Sequence, residues 1–294
     1  MLSTTAIDTV VRAALVEDAP WGDLTSEVLI PADATATARL VAREPGVFSG
    51  GAVFASAFRL VDTRIAVHLY VTDGTAFAAG DLLAEASGPA RGILQAERIG
   101  LNFVQRMSGI ATLTARYVAE TAGTHARIVD TRKTTPGLRA FERAAVRDGG
   151  GHNHRFSLSD AVMAKDNHLA ILQSGGLGLT DALLLVRDRI SHTTHLEVEV
   201  DRIDQIEAVL AARVDTIMLD NFDPEQLAAG VRLVAGRAIV EASGGVNLDT
   251  VRAIAASGVD VISVGALTHS VRSLDLGLDV VVVAGTELDG AVRN

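Results

Sequence analysis

Four apolar runs in the last third of this chain end on a polar residue or a glycine at a near-constant interval. Glu199, Asp220, Ser243 and Gly265 lie 21, 23 and 22 residues apart. Each run (THLEVEV, DTIMLD, AIVEAS, DVISVG) is short enough for a strand, and helical patterns such as RIDQIEAVLAA, DPEQLAAGVRLVAG and NLDTVRAIAASG separate them. Parallel strands need a crossover of a dozen or more residues, normally a helix, so this βα repeat restricts the region to a parallel sheet or barrel. Two upstream runs, ARIVDT (126–131) and DAVMAK (160–165), extend the series to six. In a β/α barrel the strand ends converge on one face. The residues closing these runs (Asp130 to Lys133, Lys165 and Asp166, Glu199, Asp220, Ser243, Gly265) are therefore expected to build one pocket.

The first third has a different rhythm. Residues 36–90 alternate short β-like runs with turn signals at Pro45-Gly46, Asp73-Gly74 and Gly88-Pro89, which favours antiparallel strands. The N-terminal stretch suits a short amphipathic helix and lacks the apolar core of a signal peptide, so a cytoplasmic location is expected. Asp23 begins a capped turn. From about Gly92 a long helical pattern carrying Arg98 and Arg106 leads into the second part. The expected division is 1–108 and 109–270, with 271–294 either completing the first part or trailing off.

The formal net charge is −10, and the sequence pI is near 5.2. Nucleic acids and anionic membranes demand a broad basic surface, so neither is expected as the main partner. With 48% hydrophobic and 21% charged residues, disorder is not indicated. The absence of cysteine excludes disulfides, thiolate nucleophiles and zinc–cysteine sites.

Positive charge is nevertheless gathered locally. Residues 127–165 hold six arginines (127, 132, 139, 143, 147, 155) and both lysines of the chain, Lys133 and Lys165. Guanidinium groups fork onto carboxylate and phosphate oxygens while ammonium groups act as point charges, so the cluster is read as a pocket for a small, multiply charged anion. The turns Ser243-Gly244-Gly245, before a helix expected at Asn247, and Ser263-Val264-Gly265 let backbone N–H groups approach phosphate closely. Glu199 and Asp220 are candidates for holding Mg²⁺ through water and phosphate oxygens. His152 and His154 have no carboxylate nearby in sequence, and they are assigned hydrogen bonds to an anion instead of zinc. A Schiff base at Lys165 is the competing chemistry, disfavoured because neighbouring charges keep its ammonium protonated.

The runs DTRKTTPGLR, GGGHNHR and KDNH, followed in order by EVEVD, LDNF, SGG and VGALTHS, resemble the quinolinate phosphoribosyltransferase family, also called nicotinate-nucleotide pyrophosphorylase (carboxylating). GDLTS and AERIGLN extend the likeness upstream. The resemblance implies an α/β protein with an N-terminal α/β sandwich containing an antiparallel sheet, and a C-terminal irregular α/β barrel. It implies transfer of the phosphoribosyl group of 5-phosphoribosyl 1-pyrophosphate to quinolinate, with Mg²⁺, giving nicotinate mononucleotide, pyrophosphate and CO₂ in NAD synthesis. It further implies a homodimer or larger homo-oligomer in which Arg98 reaches the partner's pocket. On the same matching, Arg98, Arg132, His154, Arg155 and Lys165 hold the two quinolinate carboxylates, and Lys133 faces the phosphoribosyl donor. Glu199 and Asp220 lie near the ribose and its metal, Ser243, Gly244, Gly245, Ser263 and Gly265 form phosphate loops, and His269 closes them. Lys133, Lys165, Glu199 and Asp220 are the residues assigned to catalysis. Arg139 is a weaker candidate, and Arg143 stands where lysine is expected. The alternatives are a paralogue associated with molybdate transport, which is expected to lack KDNH, and a nicotinate salvage transferase.

Overall fold

A computed structural model describes residues 2–281. The chain divides into two compact units, one comprising residues up to Ala111 together with those from Arg272 on, the other Thr112–Val271.

The first unit begins with α1 (Thr4–Asp18), where the Ser3 side chain accepts from Ala6 N–H and Ile7, Val11 and Leu15 form one buried stripe four residues apart. Asp23 caps α2 (Leu24–Leu29), accepting from the N–H groups of Thr25 and Ser26. There follow β1 (Thr35–Ala42), β2 (Gly46–Val47), α3 (Gly51–Val61), β3 (Ala66–Leu69), β4 (Ala76–Phe77), β5 (Leu82–Pro89) and the long α4 (Ala90–Glu120). β1 alternates buried and less buried residues, as a sheet covered on one face requires.

The barrel unit contains β6 (Arg127–Val129), α5 (Arg139–Asp148), β7 (Val162–Ala164), α6 (Asp166–Gln173), α7 (Leu179–Arg189), β8 (Leu196–Val200), α8 (Ile206–Ala211), β9 (Thr216–Asp220), α9 (Pro224–Val234), β10 (Ile239–Ser243), α10 (Val251–Ala256), β11 (Val261–Ser263) and α11 (Ala266–His269). β12 (Leu276–Val281) returns to the first unit, where the antiparallel order is β12-β1-β5-β3. The tail from Val271, whose destination the sequence leaves open, therefore completes that sheet as far as Val281; its remainder lies outside the described residues. α4 holds the returning chain: Leu274 N–H donates to Gln105 C=O at 3.0 Å, and Gln105 Nε2 donates to Leu276 C=O at 2.7 Å.

All six βα runs form strands of one parallel sheet, ordered β6-β11-β10-β9-β8-β7. The two end strands do not pair. The segment between them supplies a bridge from His152 to Val129, so the barrel is irregular where the His152–Arg155 run enters. One expectation shifts. After Ser243-Gly244-Gly245 the chain makes a turn around Asn247, whose side chain accepts from Asp249 and Thr250 N–H, and α10 begins only at Val251. Asparagine competes for the backbone in this way and delays a helix start.

Gly109 fixes the approach of α4 to the returning chain, because a Cβ there would lie 2.2 Å from the Arg272 carbonyl oxygen. Gly109→Ala gains about 1 kcal/mol of helix propensity but forces backbone apart, at a cost of about 1–3 kcal/mol or more. A net loss of stability in urea unfolding is the expected outcome, and a gain would show that this contact yields easily.

Candidate active site

Side chains alternate along a strand, so in each barrel strand every second residue faces inward. The inward sets are 197 and 199 on β8, with 195 just before it; 216, 218 and 220 on β9; 239, 241 and 243 on β10; and 261 and 263 on β11. Residues of these sets line two cavities, one at each end of the barrel. The outward residues Leu196, Val198, Val200, Ile217 and Leu219 are buried and apolar.

The cavity at the C-terminal strand ends has a volume of about 670 Å³ and is lined by Arg132, Lys133, His154, Arg155, Lys165, Asp220, Asn221, Glu241, Ser243, Gly244, Gly245 and Ser263, among others. Arg132, Arg155 and Lys165, far apart in sequence, thus share one cavity. Burial lowers the Arg155 pKa, and the neighbouring positive charge of Arg132 adds to that. Cations crowded in this way favour an anion between them. Lys165 Nζ contacts the Glu199 carboxylate, a paired ammonium ill-suited to Schiff-base chemistry. Glu199 therefore meets the pocket through Lys165. Asp220 accepts a hydrogen bond from Asn221 Nδ2 at 2.7 Å.

Gly244 and Gly245 adopt φ of +88° and +62°, and a Cβ on Gly244 would lie 2.2 Å from Asn221 Oδ1. Only glycine fits that turn. Asn221 itself has φ +58°, a conformation asparagine tolerates better than most residues, and its N–H donates to Ser243 C=O. A Cβ on Gly265 would come 2.9 Å from His269 Nε2 and 3.2 Å from Lys133 Cδ, so those three positions are packed together beside the cavity. Thr268 Oγ1 donates to Lys133 C=O at 2.7 Å, tying α11 to the loop after β6. α11 spans four residues, so its dipole adds little to any phosphate site there. Arg98 lies on α4 and belongs to the first unit.

Two arginines of the cluster organise the backbone. Arg143 is buried, donates to His154 C=O at 2.6 Å and Arg155 C=O at 3.0 Å, and lies 3.5 Å from the buried Asp130. Asp130 accepts from His154 N–H at 2.8 Å and Asn153 Nδ2 at 2.6 Å. Burial raises the Asp130 pKa, opposed by Arg143 and these donors. Arg139 donates to Thr134 Oγ1 and to the carbonyls of Phe156 and Arg132. A lysine at 143 could not fork to two carbonyls and a carboxylate at once.

His154 does have carboxylate partners, contrary to what its sequence neighbourhood suggests. Its Nε2 lies 3.2 Å from Glu197 Oε2 and 3.4 Å from Glu241 Oε2, both glutamates being buried on distant strands. Its Nδ1 accepts from Arg155 N–H at 2.7 Å, which requires a bare nitrogen there and places the ring proton on Nε2. Burial disfavours a charged imidazole, but hydrogen bonds to Glu197 and Glu241 outweigh it and push the His154 pKa up to about 10. A second proton on the ring would have to sit on Nδ1, against the Arg155 N–H. The geometry therefore favours Glu197 as the holder of the retained proton, since burial raises its pKa and the Glu241 charge adds to it. Glu197 and Glu241 went unread in the sequence; the signal available was their position two residues before Glu199 and Ser243, on the inward face.

A parallel α/β barrel whose strand ends gather arginines, lysines, a carboxylate pair and tight glycine turns defines an enzyme core for small anionic substrates. Comparison with known proteins is specific. The model for quinolinate phosphoribosyl transferase, N-terminal domain, matches residues 23–108, and that for the C-terminal domain matches 110–279. A probable nicotinate-nucleotide pyrophosphorylase [carboxylating] of Bacillus subtilis is 41% identical over 265 residues, 90% of each chain. A nicotinate-nucleotide pyrophosphorylase [carboxylating] of Mycobacterium leprae is 44% identical over 278 residues, 92% of this chain and 95% of that one. The crystal structure of NadC from Streptococcus pyogenes superposes with a TM-score of 0.92 at 39% identity, covering 96% of this chain and 99% of that one. This chain belongs to the quinolinate phosphoribosyl transferase family.

The upward shift at Glu197 contributes stability that is fully present below its unfolded pKa and is lost as pH rises through the folded one. Unfolding free energy should fall as pH rises above the ordinary glutamate range, and Glu197→Gln should flatten the fall. An equally steep decline in the variant would assign it to other groups.

Proposed function

We infer that this chain transfers the phosphoribosyl group of 5-phosphoribosyl 1-pyrophosphate to quinolinate, with loss of CO₂, forming nicotinate mononucleotide and pyrophosphate for NAD synthesis. The observation that carries this reading is the convergence of Arg132, Arg155, Lys165 and Lys133 with Asp220 and the Ser243–Gly245 turn in one cavity. Quinolinate carries two adjacent carboxylates and the donor carries phosphates, so the reaction needs dense positive charge with a turn of exposed backbone N–H groups beside it.

Attack by the pyridine nitrogen on ribose C1 expels pyrophosphate. Positive charge grows on the sugar and negative charge on the leaving group. Lys133, packed against Gly265 and His269, serves the departing pyrophosphate, while Ser243, Gly244, Gly245 and Ser263 serve the 5-phosphate. Asp220 and Glu199 steady the sugar's charge. Arg132, Arg155 and Lys165 hold the carboxylates. The N-glycosylated ring is then a pyridinium, whose cationic nitrogen stabilises the electron pair left on the adjacent carbon as CO₂ departs, and that carbon then takes a proton from solvent to give nicotinate mononucleotide. Tight grip on that carboxylate would stabilise the ground state, so the firmer contacts belong to the carboxylate that stays.

Magnesium belongs to the same proposal. Glu199 and Asp220 offer carboxylate oxygens only, one already against the Lys165 ammonium and the other against the Asn221 amide. Such donors suit a hard, hydrated cation held through water and substrate phosphates. When bound, Mg²⁺ supplies charge neutralisation for pyrophosphate. Assembly as a homodimer or larger homo-oligomer, with Arg98 entering a partner's pocket, is also proposed; its support is the AER motif on α4. No described helix is long and apolar enough to cross a membrane, and residence in the cytoplasm is part of the same reading.

The test is turnover by purified protein given quinolinate, 5-phosphoribosyl 1-pyrophosphate and Mg²⁺, with nicotinate as the control acceptor. Nicotinate mononucleotide and CO₂ should appear in equal amounts; preference for nicotinate would move the chain to salvage, and no turnover with either would favour the molybdate-associated paralogue. Arg132→Ala should raise KM for quinolinate about 10- to 100-fold, the equivalent of losing about 1.5–3 kcal/mol of charge-assisted hydrogen bonding. An unchanged KM would remove Arg132 from the carboxylate site.

A further inference from the structure

Between the two barrel cavities lies a layer of three side chains, His154, Glu197 and Glu241. His154 and Glu241 line both cavities, the substrate pocket above and a cavity of about 820 Å³ at the N-terminal strand ends below. The two glutamates come from β8 and β10, on either side of β9, and each is 3% exposed. Their Oε2 atoms approach the same imidazole nitrogen, and the Oε1 atom of each has no hydrogen-bond partner.

The other face of the same ring is equally committed. Nδ1 receives the Arg155 N–H, Asp130 receives the His154 N–H, and Arg143 holds both carbonyls. The Arg155 guanidinium then turns back to donate to Ala161 C=O at 2.8 Å. The orientation of Arg155 in the pocket therefore depends on the imidazole ring, and the ring's hold on the barrel interior runs through the two glutamates. The charged groups facing this layer are Arg155 and His195 beside Glu197, Asp130 beside His154, and Arg132 and Asp160 beside Arg155.

We propose that Glu197 and Glu241 are positioning residues, clamping the His154 ring from inside the barrel and so setting the Arg155 end of the anion pocket. The inference rests on the carboxylate-binding role given to Arg155 above. Both act through His154 and Arg155, and Glu241 also lines the pocket. Their effect is on how firmly a vicinal diacid is held, and the phosphoribosyl donor, served by Lys133 and the glycine turns, is outside their reach.

Three readings test this. Glu197→Gln, which keeps an acceptor oxygen at the same place, should change KM for quinolinate by no more than about threefold, whereas Glu197→Ala should raise it about tenfold or more. The double variant Glu197→Ala with Glu241→Ala, which leaves the ring unclamped, should be worse than either single alanine variant, with KM for the phosphoribosyl donor unmoved in each case. Equal effects of Gln and Ala, a double variant no worse than the single one, or parallel changes in both KM values would overturn the clamp. Binding of benzene-1,2-dicarboxylate by calorimetry repeats the comparison without turnover. If the wild type binds this probe with the predicted order among variants yet makes no nicotinate mononucleotide, the reaction assignment fails and the clamp stands. Should the variants not fold, ¹⁵N NMR of the histidines in the wild type decides: His154 should show its Nε2 protonated and hydrogen-bonded to carboxylate. A bare Nε2 would sink the proposal.

Discussion

A parallel barrel strand offers its interior every second side chain, and in this chain that interior is charged. The outward positions are conventional: valine, leucine and isoleucine bury against the surrounding helices. The inward positions set carboxylates, serines and a threonine among Met218, Ile239 and Val261, and a buried charge is tolerable only when paired and hydrogen-bonded. The basic stretch from Arg127 to Lys165 can therefore be read as the counter-charge to an acidic barrel lining as well as a grip for substrate. His154 sits over Glu197 and Glu241, Lys165 over Glu199, and Arg143 over Asp130.

That pairing explains how a net-negative protein can build a cationic cradle. Arg143 and Arg139 spend their donors on backbone carbonyls and fix the path of two loops. Arg132, Lys133 and Arg155 are left on the cavity side, where desolvation and mutual repulsion make an anion welcome. The scaffold arginines and the pocket arginines are drawn from the same run of sequence but have opposite tasks. Tasks of that kind are separated by burial and hydrogen-bond geometry, and arginine serves both because its planar fork holds carbonyl and carboxylate oxygens alike.

The glycine turns show the same economy of means. Gly244 is required because Asn221 Oδ1 occupies the space of a side chain, and Asn221 is turned into that space by its own positive φ. One turn thereby fixes the carboxylate of Asp220, through the asparagine amide, and the backbone of the loop after β10. Strain of this sort is held only where the surrounding structure over-determines it.

The sequence alone determined the βα repeat, because strand and helix periods differ and the 21- to 23-residue interval leaves room for little else. It also determined the antiparallel first part, and the strand-end positions of Lys165, Asp220 and Ser243, because an apolar run announces its own end. The order of the six strands, the return of β12 to the first unit and the delayed start of α10 were decided by tertiary structure. So was the layer of His154 with Glu197 and Glu241. A glutamate inside THLEVEV or AIVEAS reads as an interruption of an apolar strand until the fold shows which face it takes. Its partner lies on another strand, at a distance no local pattern encodes, and the cluster exists only once folding has brought both carboxylates to the same imidazole nitrogen.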